Sequence, residues 1–144
     1  MGVFSKEDQQ RIQIAIEDAE THTSGQIRVC IEKSCKENII KRATKYFQKL
    51  GMHKTKLRNG VLIYVATVDR KFAIIGDIDI NNAVQENFWN DTKETMLRYF
   101  EKGNLIEGIV SGLNIAGDHM KKKFPHQPNG KNELSDNIAF LDGD

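Results

Sequence analysis

The sequence predicts an α/β protein: a three-layer α/β/α sandwich whose small mixed β-sheet is flanked by helices. Three observations carry this reading. Residues 60–68 form a nearly unbroken apolar, β-branched run without alternation, the pattern of a strand covered on both faces. Residues 71–75 resume the apolar run after only Asp69-Arg70, a link too short for a crossover, so this strand runs back antiparallel. An amphipathic helix over 39–50 separates residues 60–68 from an earlier strand, 26–32. That order is a β-α-β unit, which implies a parallel pair with a right-handed crossover.

The elements follow in order. Ser5 is placed to cap a helix over 6–20, with Asp8 three residues on as a short-acid capping box and Phe4 folding back on the first turn. Ile12, Ala15, Ile16 and Ala19 form its apolar face. Thr21 to Gly25 turn the chain. In the strand 26–32, Ile27, Val29 and Ile31 alternate with Gln26, Arg28, Cys30 and Glu32, which predicts one polar, partly exposed face. Ile40, Ala43, Phe47 and Leu50 line the buried side of the second helix, and Gly51 ends it. A basic loop, 52–59, leads into the central strand. A third helix is expected over 84–102, with Asn81 at its entrance. A fourth is expected over 105–124, capped by Asn104 and stopped by Pro125. Gly108, Gly112 and Gly117 lower the fourth helix's propensity but permit close packing. Residues 1–125 read as one domain. Residues 126–144 read as a polar, extended tail in which only Leu134, Ile138, Phe140 and Leu141 are suited to docking.

A chain of 144 residues can bury a core without disulfides or metals. Its 21 Lys and Arg against 20 Asp and Glu give a net charge of +1, which argues against a nucleic-acid partner. The N-terminus has no apolar signal region, and no apolar run reaches the ~18 residues that would span a bilayer. The expectation is a cytoplasmic monomer with no membrane partner. Cys30 and Cys35 lie about 16 Å apart in an extended chain, too far for a disulfide, so both are expected as free thiols.

Two polar boundaries of the central hairpin are the candidate sites, one at each end of the sheet. Asp77, Asp79 and Asn81 have a D-x-D-x-N spacing that in an extended chain can turn alternate oxygens toward one hard cation. It is not an EF-hand, because Asn82 and Phe88 stand where Gly and Glu are required. The bland alternative is a solvated helix entrance. Thr23, Ser24 and Asn59 belong to the same end. At the other end Asp69 is a candidate metal ligand and Arg70 a candidate anion clamp, beside Ser34, Glu37 and Asn38; the alternative is a charged hairpin turn. Asp118-His119 reads as a surface pair. There is no Walker A loop, no G-x-S-x-G elbow and no C-x-x-C.

Residues 15–29 (AIEDAETHTSGQIRV), 58–77 (RNGVLIYVATVDRKFAIIGD), 88–89 with Asn87 (NFW), 100–125 and 133–140 with Asn132 together resemble the TPM domain family. The chain looks most like its stand-alone bacterial branch. The resemblance implies an α/β/α sandwich, divalent metal binding, calcium or magnesium, in acidic loops, and the acid phosphatase activity of plant members. It adds weight to the candidates read from spacing: Asp69, Asp77, Asp79 and Asn81 as metal ligands, and Asp69 and Arg70 as the catalytic pair, acting on a phosphorylated small molecule. Gln26 departs from the Glu that commonly follows T-S-G. The rival function is a non-catalytic module that binds a protein partner through the same cleft.

Overall fold

A computed structural model describes residues 4–85, 87–126 and 138–141. It contains five α-helices and four strands: α1 (Lys6–Glu20), β1 (Gln26–Glu32), α2 (Ile39–Lys49), β2 (Gly60–Ala66), β3 (Lys71–Gly76), α3 (Ile78–Ala83), α4 (Asn90–Glu101), α5 (Leu105–Lys123) and β4 (Ala139–Phe140). A short 3-10 turn, Met52–Lys54, lies in the basic loop. The strand order is β3-β2-β1-β4. β1 and β2 are parallel with Gln26 opposite Gly60, and β2 and β3 are antiparallel with Val61 opposite Gly76.

Every residue of β2 is buried, because each face of the sheet has its own cover. Ile27, Val29 and Ile31 with Val61, Ile63 and Val65 face one core, filled by α1, α4 and α5. Cys30, Leu62, Tyr64 and Ala66 face the second, under Ala43 and Phe47 of α2 and Met52 of the 3-10 turn. This corrects the expected exposed polar face of β1: α2 covers it, and Gln26, Cys30 and Glu32 are all buried. Both cysteines are free thiols.

The glycines of α5 explain its packing. Three glycines cost about 3 kcal/mol of helix propensity relative to alanine. A Cβ at Gly108 would stand 2.6 Å from a Phe100 ring carbon, one at Gly112 2.6 Å from Met96 Cγ, and one at Gly117 2.9 Å from Ala19 Cβ. Phe100 and Met96 are fully buried, so at these three positions the approach of α5 to α4 and α1 depends on the missing side chains.

Helix ends follow the local chemistry. Ser5 and Asp8 close the capping box on α1. Gly51 and Gly103, both left-handed, follow α2 and α4. The expected helix over 84–102 begins six residues late, as α4 at Asn90, and a separate short helix, α3, precedes it over 78–83. Asp77, not Asn81, caps α3, and Val84 is extended (φ −116°, ψ 154°), which breaks the run. The break lets Ile80 and Trp89 enter the core from separate elements. β2 also ends two residues early, at Ala66; Thr67 and Val68 instead donate their N–H groups to the Glu32 and Lys33 carbonyls. The tail returns to the sheet: Ala139 and Phe140 pair in parallel with Cys30 and Ile31. Leu134, expected to be suited to docking, and residues 132–137 of the segment that carries the resemblance lie outside the described residues.

Candidate functional site

The hairpin's polar boundaries stand at opposite ends of a seven-residue strand, roughly 20 Å apart. At the end where β1 and β2 begin, four turns meet. Ser24 N donates to the Phe124 carbonyl (2.9 Å), and Thr23 Oγ1 donates to the same oxygen. Thr23 and Pro125 form an isolated antiparallel bridge. Asn59 Nδ2 donates to Ser24 Oγ (3.2 Å). Gly25 is closely enclosed here: a Cβ would stand 2.2 Å from Met120 Cε and 3.3 Å from the Asn59 carbonyl. Ser24, Leu57, Asn59, Asp79, Lys123, Phe124, Pro125 and His126 enclose a cleft of about 280 Å³.

Asp77 is committed elsewhere. Arg58 Nε donates to its Oδ2 (2.7 Å), while Arg58 Nη2 and Ile78 N donate to its Oδ1 (both 2.8 Å). Burial works to raise the Asp77 carboxyl pKa, but the Arg58 fork and the Ile78 N–H outweigh it and hold it below the usual carboxylate range. Asn81 donates Nδ2 to the Gly76 carbonyl (3.0 Å). Residues two apart in a helix diverge by about 200°, so Asp77, Asp79 and Asn81 do not converge as they would in an extended chain. Asp79 is exposed and has no ion pair among the described residues.

At the carboxyl ends of β1 and β2, Asp69 Oδ2 accepts from Cys35 N (2.8 Å). Arg70 is left-handed (φ 54°) and donates Nη1 to the Glu101 carbonyl at the end of α4 (3.4 Å), away from Asp69. Asn38 caps α2. The strongest constellation here is one that sequence spacing does not reveal. Glu32 accepts from Arg42 Nε (3.0 Å) and Nη2 (2.6 Å) and from Tyr64 OH (2.5 Å). Glu37 accepts from Arg42 Nη1 (3.3 Å) and Lys45 Nζ (3.4 Å). Burial works to raise Glu32, but Arg42 and Tyr64 outweigh it and hold the carboxyl low. Burial and then Glu32 push the Tyr64 hydroxyl far up. Burial also pushes the Cys30 thiol up to about 12, which makes it a poor nucleophile. His119 pairs with Asp91 (3.4 Å), which corrects the expected Asp118 partner. No group of three or more His, Cys, Asp or Glu side chains able to hold a metal ion forms among the described residues.

The family model for the TPM domain matches residues 1–119. The chain belongs to the TPM domain family. The solution structure of the BA42 protein from the psychrophilic bacterium Bizionia argentinensis is 40% identical, with a TM-score of 0.91 over 96% of each chain. The N-terminal domain of the cg2496 protein from Corynebacterium glutamicum is 14% identical, with a TM-score of 0.66 over 98% of this chain and 82% of that one; this shows a shared fold. No curated protein matches the chain. Three motifs of this TPM domain, Thr23-Ser24-Gly25, Arg58-Asn59-Gly60 and Gly76-Asp77, meet at the amino end of the sheet, and Asp69-Arg70 stands alone at the other.

Removing Arg42 leaves the Glu32 carboxylate buried with only Tyr64. Arg42→Ala is expected to destabilise the domain by on the order of 2–3 kcal/mol in urea unfolding, below the full cost of breaking a buried pair because Arg42 is partly exposed. The Glu32 pKa is lowered on folding, so its contribution is complete above its unfolded value of about 4.3 and is lost as pH falls from there. Glu32→Gln is expected to flatten the stability profile below that pH and leave its slope near neutrality unchanged.

Proposed function

We propose that this TPM domain binds a divalent cation, calcium ahead of magnesium, at the amino end of its sheet. The observation that carries this reading is the placement of Asp79. Its carboxylate borders the same cleft as Ser24 and Asn59, whose oxygens come from separate turns, while Arg58 already neutralises Asp77. Three side-chain oxygens on three turns suit the flexible, high-coordination shell of calcium better than the tight octahedron of magnesium. Water completes the shell. With one carboxylate, and with Lys123 and His126 on the same cleft, the site is weak, on the order of millimolar. Of the residues expected as ligands, Asp79 belongs to this site; Asp77 and Asn81 support it by holding the Gly76 turn. Calcium added to the protein is expected to shift the backbone amides of Ser24, Asn59, Gly60 and Asp79, and Asp79→Asn to abolish those shifts. Shifts absent from these amides at millimolar calcium would overturn the site.

Phosphomonoester hydrolysis is a second reading, favoured by the position of Asp69. It lies outside the carboxyl ends of parallel strands, where open α/β sheets bind ligands. Arg70 would have to release the Glu101 carbonyl to clamp a phosphate there. If this end is catalytic, hydrolysis of an aryl phosphate falls at least tenfold in Asp69→Asn. A rate unchanged by that substitution excludes Asp69.

A further inference from the structure

The near-neutral total hides a strongly divided charge. Residues 33–58 hold nine of the 21 Lys and Arg but one of the 20 Asp and Glu; the rest of the chain carries twelve basic residues against nineteen acidic ones. The structure turns this division into two faces. α2 and the 3-10 turn cover one side of the sheet, and α2 carries four basic residues and no acid. The layer on the opposite side, α1, α4 and α5, carries seven basic residues against ten acidic ones.

The two arginines of the basic segment are engaged by Glu32 and Asp77, and its one acid, Glu37, pairs with Arg42 and Lys45, so lysine makes up most of its outer surface. Lys41, Lys45 and Lys49 repeat every fourth residue, about 6 Å apart along one stripe of α2, with Lys36 before and Lys54 after, all exposed. We propose that, against the expectation of no membrane partner, the α2 face docks the domain on an anionic lipid bilayer with its lysines toward the headgroups.

The choice of a lipid surface over another polyanion rests on three features. The stripe lies along a single helix backed by a sheet, matched to an extended, even field of charge. Exposed arginine forks, which would favour bidentate phosphate recognition, are not part of it. The nearby aromatic, Tyr46, is half-buried beneath the Arg42 guanidinium (4.8 Å) and the Lys49 ammonium (5.4 Å), so it offers no platform for a nucleic-acid base. The acidic opposite layer is repelled by the same surface and so sets the orientation.

Co-sedimentation of the full chain with phosphatidylcholine vesicles, with and without phosphatidylglycerol, tests this. Binding is expected only to the anionic vesicles, to weaken with added salt, and to fall about a hundredfold in the Lys41→Glu, Lys45→Glu, Lys49→Glu variant. Lys121→Glu with Lys122→Glu on α5 is expected to retain binding. The amide spectrum of each variant establishes that it is folded. The proposal is overturned if anionic vesicles fail to bind at low salt, if the α5 variant loses as much as the α2 variant, or if duplex DNA binds in preference to vesicles.

Discussion

Everything in this domain depends on the burial of β2 on both faces. A strand with seven buried residues cannot stand at the surface of a two-layer protein. It needs helices above and below, and the two hydrophobic cores meet that need from different parts of the chain. The alternate residues of β1 then sort themselves, Ile27, Val29 and Ile31 to one core and Cys30 to the other. The same constraint creates the Glu32 network. A carboxylate at the end of a doubly covered strand must be matched, and Arg42 on the covering helix and Tyr64 on the neighbouring strand match it.

The sheet separates its two ends chemically. At the carboxyl end the two acids beside α2 are matched: Arg42 engages Glu32 and Glu37, and Lys45 engages Glu37. At the amino end the turns are tied mostly by backbone and amide groups, so Ser24 and Asn59 border a cleft with Asp79. This difference, more than the number of acids at either end, distinguishes them. The divided surface charge is a third, independent feature, since the lysine stripe lies on the helix layer and not at a sheet end.

Much of the fold is legible in the sequence because its signals are local. Ser5 and Asp8, the unbroken run of β2, the short Asp69-Arg70 link and Pro125 after α5 each announce an element from neighbouring residues. The departures arise where distant contacts decide. Val84 is extended so that Ile80 and Trp89 can both be buried, which helical periodicity does not encode. Ala139 and Phe140 become a strand only because the edge of β1 accepts them. Arg58 and Asp77 are 19 residues apart, and Glu32 and Tyr64 are 32 apart; charge counting along the chain does not pair them. The two ends of the sheet, by contrast, follow from strand direction alone, and Thr23, Ser24, Asn59, Asp77 and Asp79 do gather at one of them.

The proposed cation site lies at one end of the sheet, the end bordered by Ser24, Asn59 and Asp79. Paramagnetic broadening by manganese tests it most directly, because the effect falls steeply with distance and the two ends are about 20 Å apart. The amides of Ser24, Asn59 and Asp79 are expected to broaden first while those of Cys35 and Asp69 stay sharp. Broadening centred on Cys35 and Asp69 would contradict it.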